Sequence, residues 1–284
     1  MMTEKVTEGT AGSEGTAGNA AARVPDRCGT ARFDLAVMRG YWLLEAQLLR
    51  RVWGPVMATA VVQPLVYLLA FNAGFGGVAA SAVPGNYLDF LATGMVGVAV
   101  LFGTTYAVMH RMFVRREIQR TFDAILTAPI EIREIVAAQA LWTGVVGGTL
   151  GAFPILVAIP FGLHPTPGML LVVPLGILSG IGLTLFGLLI SLVVRAIDSI
   201  NYIVAAVLTP AFLVAGTFFP LDALPGWAHR LALVNPLYHC VELVRHVSFG
   251  IQPSADLLHL CFLVAFSVVL YVLTVFGMHK RLID

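Results

Sequence analysis

Residues 135–194 contain no Asp, Glu, Lys or Arg. No soluble core element needs so long an apolar run, whereas a bilayer core about 30 Å thick takes roughly 20 apolar residues per helix. The stretch therefore reads as two lipid-crossing spans, with His164-Pro165-Thr166-Pro167-Gly168 as the turn between them. The other apolar runs bring the total to six, at Pro55 to Ala73, Leu91 to Met109, Ile135 to Ile159, Met169 to Val194, Tyr202 to Phe219 and Leu257 to Gly277. Pro64, Pro154, Pro174 and Pro210 fall inside spans, where kinks are expected and neighbouring helices re-satisfy the freed backbone groups.

Three further segments carry helical periodicity. From Arg32 to Trp53, residues Phe33, Val37, Tyr41, Leu44, Leu48 and Val52 recur three or four apart, with Arg32, Arg39, Gln47 and Arg50 opposite, as in a helix lying in the membrane surface. Asp34 and Glu45 interrupt its apolar side and must meet either protein or a hydrated rim. Arg111 to Glu134 is the largest inner connection. Its first half sets Val114, Ile118, Phe122, Ile125 and Leu126 against Arg116, Glu117, Arg120 and Asp123, and Pro129 ends it. This reads as a short coupling helix that takes force from a soluble partner, or as a solvated loop whose arginines only set topology. Phe218 to Gly250 is too apolar for a free loop. Pro220, Pro225 and Pro236 divide it into two short helices of re-entrant length, and the spacing of His239, Glu242, Arg245 and His246 lets Glu242 pair with Arg245.

Composition fixes the class. The 284 residues are 58% hydrophobic and only 12% charged, against about 25% charged in soluble domains, which makes this an all-α integral membrane protein. The net charge of +1 leaves no basic footprint for nucleic acid. Placement of the basic residues sets orientation. Lys5, Arg23, Arg27, Arg32, Arg39, Arg50, Arg51, Arg111, Arg115, Arg116, Arg120, Arg133, Arg195, Lys280 and Arg281 fall on one side, and only Arg230 and Arg245 on the other. Both termini are therefore expected in the cytoplasm of a bacterial cell, the chain being multi-pass in its cytoplasmic (inner) membrane. Residues 1–31, with the echo Glu8-Gly9-Thr10-Ala11-Gly12 and Glu14-Gly15-Thr16-Ala17-Gly18, read as a disordered cytoplasmic tail, and 32–284 as a single six-span domain. No apolar h-region follows the start, so the first span is expected to direct insertion itself. Cys28, Cys240 and Cys261 show no metal or disulfide spacing and read as small buried residues.

No catalytic or metal-ligating constellation emerges. There is no GxxxxGK[ST], and with Lys only at positions 5 and 280 no lysine loop can cradle phosphate. HExxH and GxSxG are also absent. Ser179-Gly180 inside an apolar span points to close helix packing. The chain is expected to bind no cofactor, and any ATP and Mg chemistry belongs to a partner chain.

Ala215-Gly216, Phe219-Pro220, Leu224-Pro225 and Asn235-Pro236-Leu237-Tyr238-His239 with Glu242 and Arg245, together with Arg120-Thr121-Phe122, Leu126 and Pro129 upstream, give the chain its likeness. From about residue 32 to the end it resembles the membrane subunit of a type-2 ATP-binding-cassette exporter, in the branch of nodulation-factor (lipo-oligosaccharide) exporters and daunorubicin-resistance permeases. The resemblance implies a permease domain, paired with a second copy or a homologous permease and driven by separate nucleotide-binding subunits. It implies that Arg116 and the segment Glu117 to Pro129 dock on the ATPase, and that the Arg32 to Trp53 helix, with Arg39, Glu45 and Arg50, braces that contact. Phe218, Phe219 and Pro220 would lie near the exit, beside the outer half-helices with Leu224, Pro225, His239, Glu242 and Arg245. A path with few fixed charges favours an amphiphilic or hydrophobic cargo such as a lipid-linked saccharide or drug; Phe102, Tyr106, Phe186 and Tyr202 are candidates to line it. The rivals are a membrane enzyme with an outer-leaflet His239/Glu242 site and a passive channel or scaffold.

Overall fold

The computed structural model describes residues 35–79, 86–118, 131–194, 196–221 and 225–283. The expected tail over 1–31 and the residues Arg120, Thr121, Phe122, Asp123, Leu126, Pro129, Arg195 and Leu224 lie outside them. Every regular element among the described residues is helical. Helix α1 (Leu35–Arg51) is followed by α2 (Trp53–Ala79), α3 (Tyr87–Glu117), α4 (Ile132–Phe161), α5 (Pro167–Val193), α6 (Ile197–Val214), α7 (Gly226–Val234), α8 (Pro236–Phe249) and α9 (Pro253–Ile283). Six of them, α2 to α6 and α9, are long and apolar enough to cross a membrane.

The six spans match the apolar runs in number, while their ends differ from the sequence reading. Helix α3 does not stop near Met109; it continues to Glu117, because no Gly or Pro interrupts residues 107–118 and the arginines there find partners along it. The fifth span ends at Val214, not Phe219: Gly216 adopts φ +73°, a left-handed conformation open to glycine that ends the helix. Prolines account for two breaks. Pro55 has no N–H to give the Arg51 carbonyl where α1 passes into α2, and Pro154 has none for Leu150 where α4 breaks at Ala152. Wide π-type turns occur at Phe102–Tyr106 in α3 and at Val204–Leu208 in α6, just before Pro210. Helix runs through Pro64 and Pro174 unbroken.

Small residues bring the central helices together. A Cβ on Gly148 of α4 would stand 2.3 Å from the backbone nitrogen of Ile177, and one on Gly144 2.9 Å from that of Ile181. Facing them, Gly176 and Gly180 of α5 lie against the carbonyls of Gly148 and Gly144. This is a small-xxx-small seam on both partners, the means by which helices associate in lipid, where burial against another helix gains little over burial against acyl chains. Helix α3 closes on both: Gly147 meets Thr104, Gly151 meets Val100, and Thr105 Oγ1 donates to the Leu183 carbonyl at 3.0 Å. Ser179 Oγ turns back to the Leu175 carbonyl of its own helix. Cys240 is buried in the core, whereas Cys261 is exposed on α9, against the expectation for it.

Gly148→Ala should therefore force α4 off α5 at a cost of about 1–3 kcal/mol, seen as a lower melting temperature in detergent. Gly40→Ala, with nothing within 4 Å of the added methyl, should match or slightly exceed the parent.

Candidate functional site

Functional side chains gather at two ends of the helix frame. At the end where α3 and α5 finish, Glu45 of α1 is almost fully buried, 2% exposed. Its carboxylate receives Arg111 Nη1 at 3.0 Å and is also paired with Arg115, both from α3. Arg111 further donates to Thr143 Oγ1 of α4 at 3.2 Å, and Arg115 to the Tyr41 hydroxyl at 2.9 Å. Burial pushes the Tyr41 phenol up to about 12, so it serves as a neutral acceptor here. Trp42 Nε1 donates to the Ala138 carbonyl at 3.2 Å, and its ring meets Trp142 edge-on at 5.6 Å. One carboxylate and four neighbours thus clamp α1 to α3 and α4. Glu45, an anomaly in the apolar pattern of α1, faces protein; Leu44 and Leu48, expected on the same side, are exposed together with Leu35 and Leu43. Arg39 and Arg50 are exposed.

Next along α3, Arg116 donates to the carbonyls of Ser191 (2.9 Å) and Val194, capping the last turn of α5, where a cation also suits the helix dipole. Glu117 accepts from Arg116 Nε at 2.8 Å. Arg111 and Arg115 entered the sequence reading only as markers of orientation, and Tyr41 and Thr143 carried no functional reading; the sole signal was Glu45, a lone acid that required partners.

The opposite end is built around the Gly216-Thr217-Phe218 turn, whose Thr217 carbonyl presses into the space left by Gly94 of α3. Phe218 is buried, stacked on Phe71 at 4.7 Å, edge-on to Phe212 at 5.8 Å, and its carbonyl accepts from the Tyr87 hydroxyl at 3.3 Å. Phe219 is exposed, as is Pro225, and Pro220 is half-buried. Asn235 caps α8 through Leu237 N–H and reaches the Ala211 carbonyl of α6 at 2.6 Å. Arg245 pairs with Glu242 at 3.0 Å, donates to the Gly216 carbonyl at 2.6 Å and lies 3.8 Å over the Phe90 ring. It ties α8, the turn and α3 into one unit.

His239 does not join Glu242. Its Nε2 lies 2.9 Å from the Leu233 carbonyl and its Nδ1 2.7 Å from His259 Nδ1 on α9. A carbonyl only accepts, so neutral His239 carries its proton on Nε2 and accepts from His259 at Nδ1. His246 contacts Asp256 at 2.5 Å and lies 3.7 Å from Glu242. Among the described residues no cluster of His, Cys, Asp and Glu suits a metal ion. His259 and Asp256 were missed in sequence; polar residues in the first turns of an apolar span were the available signal.

Of the candidate pathway residues, Phe102 and Tyr106 line one cavity of about 880 Å³. Phe186 packs with α9 residues in a separate cluster, and Tyr202 is largely exposed on α6.

A family model described as ABC-2 type transporter matches residues 40–249. The chain is 25% identical to Nodulation protein J of Rhizobium meliloti (strain 1021) over 222 residues, 78% of this chain and 85% of that protein. It is 27% identical to Nodulation protein J of Rhizobium leguminosarum bv. trifolii over 224 residues, covering 78% and 85%. To the inner membrane transport permease YadH of Escherichia coli (strain K12) it is 24% identical over 243 residues, covering 83% and 92%. No solved structure gives a significant match.

Glu45→Ala strands two arginines, and breaking such a buried pair should cost about 3 kcal/mol; thermal melts in detergent should show the loss, while Arg50→Ala stays within about 0.5 kcal/mol of the parent. Burial also holds the His239 imidazole below its ordinary range. A depressed histidine stabilises fully above its unfolded value of about 6.5 and less as the pH falls beneath it. The stability advantage of the parent over His239→Gln should accordingly shrink between pH 7.5 and 5.5 in paired melts.

Proposed function

Because the chain belongs to the ABC-2 type transporter family, and so is a multi-pass membrane component of a transporter, we propose that it is the permease subunit of an exporter for an amphiphilic or hydrophobic cargo. Separate nucleotide-binding subunits would bind ATP and Mg and drive it. The end carrying Arg111, Arg115 and Arg116 faces the cytoplasm on this reading, as the one-sided placement of basic residues favours, and both termini lie there. Residues Glu117 to Pro129 then meet the ATPase, with α1 bracing the contact. The reading rests on one observation above the rest: the Glu45 clamp fastens the surface helix α1 to the end of α3 from which that segment departs. Force applied there is shared by α1, α3 and α4, not absorbed by a loose connection.

A second permease half, whether another copy or a relative, would pair through α2 and α6, the two least enclosed of the first five spans. Their outer ends meet the Phe218 cluster through Phe71 and Phe212, which supports a reading in which Phe218, Phe219 and Pro220 lie beside the exit. A His239/Glu242 enzyme finds no support, since each of these side chains is held by a different neighbour.

The test is Glu117→Lys with Asp123→Lys, produced together with the partner ATPase. Insertion and folding should persist while nucleotide-driven export falls to background and the permease loses its effect on ATPase rate. Undiminished export by that variant would refute the coupling role.

A further inference from the structure

Helix α2 is fixed at one end only. Near Leu68 and Phe71 it joins the aromatic cluster around Phe218, and it packs on α3 and on the Phe153–Ala158 segment of α4. In its other half, entered after the break at Pro55, residues 53–63 are all exposed or half-buried, while α1 is held onto α3 by the Glu45 clamp and onto α4 by Trp42. The space between is the cavity of about 880 Å³, within the usual range of roughly 300–1,000 Å³ for small-molecule sites.

The cavity has two chemically distinct parts. Met95, Val98, Ala99 and Phe102 of α3, with Leu150 of α4, form an apolar shaft. The rim at the arginine-rich end carries Arg51, His110 and Arg111. Glu45 also lines it, but both its oxygens are already engaged by Arg111 and Arg115, so the rim is left cationic. Among the described residues Arg51 makes no ion pair. A π-type turn at Phe102–Tyr106 lies in the wall; such turns occur mostly as single-turn bulges inside helices, often at functional sites.

We propose that this hollow within a single chain is a binding site for an amphiphile bearing an anionic, phosphate-type headgroup and an acyl chain. The headgroup sits at Arg51 and at the Nη hydrogens of Arg111 that Glu45 and Thr143 leave over, with His110 beside it. The chain lies along the Met95-to-Phe102 shaft. A rim of this charge beside an apolar shaft excludes a cationic amphiphile, and a chainless phosphate leaves the shaft unfilled. The site deepens the exporter reading by naming the class of molecule taken from that leaflet, but its existence requires no ATPase.

Trp142 lines the cavity and reports occupancy. In neutral detergent the purified chain is titrated with phosphatidylglycerol brominated on its acyl chain, with the phosphatidylcholine counterpart, and with glycerol phosphate as a chainless competitor. Saturable fluorescence quenching by the anionic lipid at lower concentration than by the zwitterionic one is expected, with no competition from glycerol phosphate. Arg51→Gln should weaken the anionic lipid about fivefold, since a basic side chain near a lipid surface contributes about 1 kcal/mol. In a Trp53→Phe and Trp227→Phe background, which removes the two exposed tryptophans from every arm, Ala99→Phe should abolish saturable quenching, and Thr59→Phe, filling the hollow from α2, should reduce it if the first variant fails to fold. Equal quenching by both lipids, indifference to the filling variants, or displacement by glycerol phosphate would overturn the proposal. Because no nucleotide is present, such a failure leaves the exporter reading to stand or fall on its own test.

Discussion

In hydrocarbon, apolar helices gain little by touching one another, so a bundle holds only where backbones approach closely or polar groups pair. The seam of Gly144 and Gly148 against Gly176 and Gly180 meets that condition, and α3 wedges onto both helices through Thr104, Val100 and Thr105. The remaining elements hang on this three-helix frame. Helix α9 joins α5 through Thr274 and the Leu185 carbonyl at 3.3 Å, and α1 joins α4 through Trp42. Spans α2 and α6 rely on other contacts: aromatic rings around Phe218 hold one end of each, and α6 is also held by Asn235 at the Ala211 carbonyl and by buried Ile200.

That distribution explains where charge is tolerated. Two of the enclosed ion pairs sit at the ends of the frame: Glu45 of α1 with two arginines of α3, and Arg245 with Glu242 of its own helix and the Gly216 carbonyl of the turn after α6. Ion pairs of this sort return little net stability against a well-packed apolar replacement, yet losing one partner is costly. They therefore act chiefly by fixing which helix lies beside which. The arginine clamp fixes α1, and the Arg245 knot fixes α8 and the turn after α6.

Much of this was legible in the residues. Six spans follow from charge-free length, and the two short helices after α6 from Pro220, Pro225 and Pro236. The pairing of Glu242 with Arg245 follows from their spacing of three. What escaped depends on distant partners or on space. Glu45 announced a need, but its arginines lie 66 and 70 positions away, beyond any local pattern. Helix α3 runs past Met109 with Arg111 and Arg115 satisfied by α1 and Arg116 by the Ser191 and Val194 carbonyls at the end of α5, which no window of sequence displays. His259 joins His239 only once α9 has folded back on α8. The cavity is harder still, since it records where α1 and α2 part and has no motif of its own.

Helix α3 is the element common to both ends. It carries Arg111 and Arg115 at one end and Tyr87 and Phe90 at the other, so it offers a path from the clamp to the Phe218 turn besides that along α2, which follows α1 and carries Phe71. A straight, tightly bonded helix would carry the motion as a rigid rod. The π-type turn at Phe102–Tyr106 divides it where it touches both the cavity and, through Phe102 and Phe212, helix α6. Coupling between sites requires an element with two arrangements, not mere proximity, and a widened turn is where a helix can change register while keeping its ends in place. A ligand in the proposed hollow would touch that turn, since Phe102, Gly103 and Tyr106 line the cavity.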